Sequence, residues 1–298
     1  MQVVKPIHLA FALLACPLAA VAADPVATIT LLEGQVAMVR GVTRYALAEG
    51  VGLQSGDIIE VGDKGLAQIE FAEGAALALG PGTRMLAVSI TQGKPAGGDF
   101  YALRGALKLS GVKKGTHFRI ATPLFALQPV EGAAVLVVGG GEGSVFVESG
   151  DARLTAAPAS LRLKGGDFFT RKAGQKGAVA PRPSPAFIGE LPRLFLDPLP
   201  SRLARYKERQ VQPRQLEAAS YTEVEAWLKA PPEVRRPLVE RFAPRASDPA
   251  FRSALVSNLR FHPEWDPILY PEKRSPKEAD AASATRSGPA PSKPADKP

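Results

Sequence analysis

The chain has 298 residues, a formal net charge of +8 and an apolar fraction of 45%, enough to bury a substantial core and to exceed one average domain. Its 28 glycines and 28 prolines suit short strands with frequent turns better than long helices. Lysine and arginine are scattered, with no run of five or more and no recognition-helix or zinc-finger spacing, which argues against a nucleic-acid partner.

At the N-terminus, Lys5 precedes an apolar run from Ile7 to Leu18, and Ala20-Val21-Ala22 before Ala23 has the small-x-small form of a cleavage site. Residues 1–22 are expected to be a signal peptide, cut between Ala22 and Ala23, with the mature chain in the periplasm. The run is too short and too proline-interrupted for a membrane span, which needs about 20 apolar residues, so no transmembrane helix is expected in the mature chain. The sole cysteine, Cys16, lies inside this segment. A second reading takes Leu13-Leu14-Ala15-Cys16 as a lipobox, which would place a lipid anchor on Cys16. With the cut after Ala22, the mature protein has no disulfide, thiol nucleophile or cysteine metal site.

Residues 23–170 read as a β domain. Ala67, Ile69 and Phe71 alternate with Gln68, Glu70 and Ala72, which predicts one apolar and one mostly polar strand face. Turn candidates Gly56-Asp57, Gly62-Asp63 and Glu73-Gly74 recur at the short spacing of an all-β meander, sandwich or solenoid. Phe100 to Leu109 is a further strand. Ala133 to Val138 is apolar on successive residues, which predicts burial on both faces. Gly139 to Gly143 then leads into Ser144 to Glu148, and Ser149-Gly150-Asp151 turns back toward Ala152 to Ala156.

Composition shifts at residues 171–186, basic and then proline-rich without periodicity, as in a linker. Residues 187–271 read as helical. Ser220-Tyr221-Thr222-Glu223 is a capping box. Val224, Trp227 and Leu228 form one stripe, Val234, Leu238, Val239 and Phe242 a second, and Phe251, Leu255 and Leu259 a third. Helices of this length need a partner surface, so they are expected to pack partly on each other and partly on the β domain. Residues 272–298 are poor in large apolar side chains and are expected to be disordered.

The sequence offers no reaction centre. The mature chain has two histidines, His117 and His262, which are expected at surface or boundary positions and not as metal ligands. The acids Asp57, Asp63, Glu73, Asp151 and Asp167 sit beside turns, where such residues commonly form the turn itself. The glycine run Gly139 to Gly143 precedes a strand, so it lacks the helix N-terminus of a phosphate loop. Phe261 to Pro271 interleaves aromatics with prolines, which suits packing better than recognition. No catalytic residue, cofactor or metal is expected.

Several of these stretches resemble the FecR-like domain family. Leu53-Gln54-Ser55-Gly56-Asp57-Ile58-Ile59, Ala67 to Gly74 and Leu77 to Pro81 look like its central repeat, and Leu32 to Gly41 looks like its opening strand. Phe118-Arg119-Ile120-Ala121-Thr122-Pro123 resembles its Thr-Pro strand, Gly143 to Gly150 the hairpin after it, and Leu163 to Asp167 its close. Where the family usually shows Arg-Gly-Thr, this chain reads Val130-Glu131-Gly132-Ala133-Ala134. The resemblance implies stacked short-strand layers, solenoid- or sandwich-like, followed here by a small α-helical region. It also implies a stand-alone exported, non-enzymatic module for protein interaction or sensing in the cell envelope. An alternative is a module that binds peptidoglycan or another envelope glycan, and a lower-ranked one is an unrecognised periplasmic hydrolase. The partner is thus an envelope protein or glycan.

Overall fold

Period-two and doubly apolar runs become the strands of a single large mixed sheet. The computed structural model describes residues 26–273 apart from 92, 94, 198, 208 and 210. The expected signal peptide, its cleavage residues Ala22 and Ala23, Cys16 and the tail from residue 274 onward lie outside the described residues.

The strands are β1 (Ala27–Glu33), β2 (Val36–Arg40), β3 (Thr43–Ala46), β4 (Ile58–Val61), β5 (Leu66–Phe71), β6 (Ala76–Leu79) and β7 (Arg84–Thr91). They continue with β8 (Gly97–Val112), β9 (His117–Ala121), β10 (Ala126–Gly139), β11 (Glu142–Ala156), β12 (Ala159–Lys164), β13 (Phe168–Lys172), β14 (Ala178–Ala180) and β15 (Arg214–Ala218). The main path runs β14-β13-β11-β10-β9-β8-β7-β4-β2-β3-β15, and a branch of β1, β5 and β6 rejoins it at β8. Named-strand pairs are antiparallel except β8 with β9.

Strand β8 is the hub. Its first half pairs β7 from Thr91↔Gly97 to Arg84↔Arg104, and its second half pairs β6 from Leu79↔Leu107 to Ala76↔Ser110. The change of partner falls at Gly105, with φ +112 and space for a Cβ blocked by the Thr83 backbone at 2.4 Å. Only glycine meets both conditions. The bend closes the sheet over a core in which Phe71 meets Phe118 edge-on at 4.9 Å and Phe100 at 6.1 Å. The predicted double burial at Ala134, Val135 and Leu136 holds.

The predicted polar face of β5 does not face water. Gln68 and Glu70 are 5% and 4% exposed, because later chain lies over them. This strap begins with α1 (Pro185–Gly189), capped by Ser184, and α2 (Arg193–Leu196). Its Leu191, Leu194 and Phe195 pack against Leu31, Ala78 and Val135. The polar groups beneath are matched in kind. Glu70 accepts from Thr30 Oγ1 (2.7 Å), Gln68 Nε2 (3.1 Å), the Arg202 N–H (2.9 Å) and Ser201 Oγ. Lys108 donates to the Phe195 carbonyl and pairs with Glu148 at 2.7 Å. An alternating strand thus hides a satisfied polar layer, which alternation alone cannot report.

Residues 171–186 and 187–271 also contribute strands. β13 extends to Lys172 and β14 pairs with it, Phe169 opposite Val179. β15 adds to the edge of β3, Gln215 opposite Tyr45. The remaining helices are α3 (Tyr221–Leu228), α4 (Pro232–Phe242), α5 (Pro249–Ser257) and α6 (Asp266–Leu269). The capping box forms, with the Glu223 carboxylate accepting from the Ser220 N–H at 2.8 Å. The α3 and α4 stripes are buried as predicted; in the third, Phe251 and Leu255 are buried and Leu259 only partly so. These helices share a core with Val39, Ile58, Leu86 and Tyr101 of the sheet. Among the described residues, no helix is long and apolar enough to cross a membrane.

Candidate functional site

Most residues singled out by type serve the fold. His117 lies on β9 against Asp99 at 3.1 Å. His262, expected near the surface, is fully buried and hydrogen-bonds the Tyr221 hydroxyl at 3.0 Å. Burial pushes its pKa below the usual histidine value. Asp57 is buried, grips Arg40 with both oxygens (2.8 and 2.7 Å) and accepts from the Gln54 N–H. Asp167 caps the turn at the Lys164 N–H, and Asp151 pairs with Arg162 at 2.7 Å. Glu73 offers its carbonyl to Lys113. No three His, Cys, Asp or Glu residues among the described ones converge as a metal site. Gly139 to Gly143 forms the β10–β11 turn, with Gly139 opposite Glu142. Within Phe261 to Pro271, Trp265 and Leu269 seal the helical core, while Phe261 stays exposed beneath Lys229 and Arg260.

An apolar site lies where α4 crosses the sheet. Pro232 starts this helix where a missing N–H costs nothing. Glu233, Pro237 and Arg241 fall at i, i+4 and i+8 beside the buried Val234 and Leu238, so one helix face carries an apolar stripe with a charge at each end. This face and strands β7, β8 and β9 enclose a cavity of about 530 Å³. Leu86, Phe100, Tyr101, Ala121 and Phe125 supply its sheet wall, and Val88, 51% exposed, stands at the mouth. The size and apolar lining are those of a small-molecule or side-chain pocket.

Three charges line it: Arg119, Glu233 and Arg241. Arg241 donates to the carbonyls of Gly41 (2.6 Å), Val39 (3.1 Å) and Gly56, which fastens α4 to two turns of the sheet. Burial lowers its pKa, only partly opposed by Asp57. The Tyr101 hydroxyl is shut from solvent without a hydrogen-bond partner, and burial together with Glu233 raises its pKa above the usual tyrosine range. None of these residues carries a sequence motif. The i, i+4, i+8 line on α4 is the one signal that could have found part of the site, since Tyr101 and Arg119 join it only through strand order.

A second groove of about 620 Å³ is polar and lies between β15 and strands β2, β3, β4 and β7. Tyr45, Glu60, Asp63, Arg84 and Arg104 are on its walls. Burial raises the Glu60 carboxyl despite Arg84 at 3.3 Å.

No family model and no curated protein matches the chain. Two crystal structures of a candidate anti-sigma factor from Parabacteroides distasonis are similar in part, at 14% and 15% identity and a TM-score of 0.37 in each case. Each alignment covers 42% of this chain and 59% of that one. The shared portion is under two thirds of that protein, and the overlap is too loose to transfer a role.

Proposed function

We propose that this chain is an exported, FecR-like, non-enzymatic module of the cell envelope that binds its partner at the cleft between the sheet and α4. The observation that carries the reading is the cleft: an apolar cavity with charges at its margin, built from both halves of the chain. Export rests on Lys5, the apolar run from Ile7 to Leu18 and the Ala20-Val21-Ala22 site. The FecR-like reading rests on the ordered fragments from Leu32 to Asp167. Of these fragments, the one from Phe118 to Pro123 supplies Arg119, Ala121 and Thr122 to the cleft, and the one from Leu53 to Ile59 supplies Gly56.

The polar groove with Tyr45, Arg84 and Arg104 favours the second reading, an envelope-glycan module, because hydroxyl-rich ligands need polar walls and an aromatic face. Two variants separate the readings. Val88→Glu puts a charge on the apolar mouth at an exposed position, and Arg104→Ala strips the groove. The full mature chain and both variants are compared by pull-down from envelope extract and by murein sedimentation. The proposal expects Val88→Glu to lose the captured partner and Arg104→Ala to keep it. Unchanged capture by Val88→Glu, or murein binding that only Arg104→Ala abolishes, overturns it.

A further inference from the structure

The charges around the cleft do not cancel. Glu233 lies in the first turn of α4 and Arg241 in its last, so the helix dipole offsets each of them. Arg241 is further occupied by its three carbonyl acceptors. Arg119 has neither offset. It is exposed on β9, and among the described residues it has no ion-pair or hydrogen-bond partner. Asp99 stands opposite Arg119 in the β8–β9 register but pairs with His117, so the mouth keeps one guanidinium without an ion pair next to an apolar cavity.

We infer that the cleft takes a small amphipathic anion, an acyl carboxylate whose chain fills the cavity and whose head lies at Arg119. The inference rests on the cleft being the binding site, as proposed above, and adds a small-molecule ligand to the partner that docks there. An apolar chain suits Leu86, Phe100, Phe125, Val234 and Leu238, and a carboxylate is the group a guanidinium fork holds best. An ammonium head would instead meet Arg119 as a like charge. Glu233 then acts against the ligand head, which sets opposite signs for the two variants below.

Titration calorimetry on the full mature chain, with decanoate and decyltrimethylammonium below their micellar concentrations, tests this. Decanoate is expected to bind and the cation is not. Arg119→Glu, an exposed substitution that leaves the core untouched, is expected to weaken decanoate about tenfold, the size of one charge-assisted contact. Glu233→Gln is expected to tighten it a few-fold. Decanoate affinity unmoved by Arg119→Glu, weakened by Glu233→Gln, or below that of the cation overturns the inference. Failure of decanoate to bind while Val88→Glu still abolishes partner capture overturns the ligand class and leaves the cleft as the site. Failure of both overturns the cleft as well.

Discussion

Glu70 shows how far a single residue can depart from its sequence pattern. Burial works to raise its carboxyl pKa, yet the hydrogen bonds from Ser201, Arg202, Thr30 and Gln68 outweigh it and hold the group below the usual glutamate value. Alternation with Ile69 and Phe71 predicts a solvent-facing glutamate, whose removal would usually change stability by no more than about 0.5 kcal/mol. The observed network predicts about 2–4 kcal/mol for Glu70→Ala, since buried donors are left unpaired. Phe71→Ala should cost about 3–5 kcal/mol through the cavity it opens. Denaturant unfolding of both variants checks this, and a near-neutral Glu70→Ala would mean that the strap is not seated in solution. His262 adds a pH dependence. Burial holds its folded pKa below the ordinary histidine value, which is about 6.5 in an unfolded chain. Below that pH the unfolded chain binds more protons, so stability falls with decreasing pH. The melting temperature should therefore drop between about pH 7 and pH 5, and His262→Gln should flatten that drop. The carboxylates held below the usual glutamate value, Glu49, Glu70 and Glu264, act only at more acidic pH.

Among the elements, the turns and stripes were legible and the partners were not. The sequence marks β5, β6 and much of β8 to β11, the α3 capping box and the α4 stripe, because each depends on residues close together in the chain. What it misses depends on distant chain: β15 joining β3, β14 joining β13, Leu191 to Phe195 packing on the sheet, and Ser201 and Arg202 over Glu70 of β5. The candidate site belongs to that second class, since Tyr101, Arg119 and Arg241 meet only when α4 crosses the sheet. Gly105 is the hinge of the arrangement. Gly105→Ala combines left-handed strain with a Cβ that meets Thr83 at 2.4 Å or closer, and should cost more than about 2 kcal/mol. Gly115 also has positive φ, at +85, with nothing within 4 Å of an added Cβ, so Gly115→Ala should cost only about 1 kcal/mol. Equal losses in chemical denaturation would show that β8 can bend without the close approach to Thr83.

For the chain taken entire, the decisive question is whether the C-terminal half stands by itself or braces the sheet. Its aromatic core, with Trp227, Phe242, Phe251 and Trp265, is completed by Val39, Ile58, Leu86 and Tyr101 of the sheet. Arg241 ties α4 to the Val39, Gly41 and Gly56 carbonyls, and the strap supplies the polar partners of Glu70 and Lys108. A chain ending at Lys172 keeps the main β core around Phe71, Phe100 and Phe118 but uncovers Leu31, Ala78, Val135 and the α4 footprint. It should fold, bind an apolar dye and melt below the full chain. Residues 187–271 alone lose one wall of their core, and a region of that size has little margin to spare. They should show weak, non-cooperative helix by circular dichroism. Mixing the two pieces should then restore helix signal and quench the dye, because each supplies the surface the other lacks. A cooperative melt of 187–271 in isolation would instead make it an independent domain. The cleft would then be a contact between two domains and no longer a fixed feature of one fold.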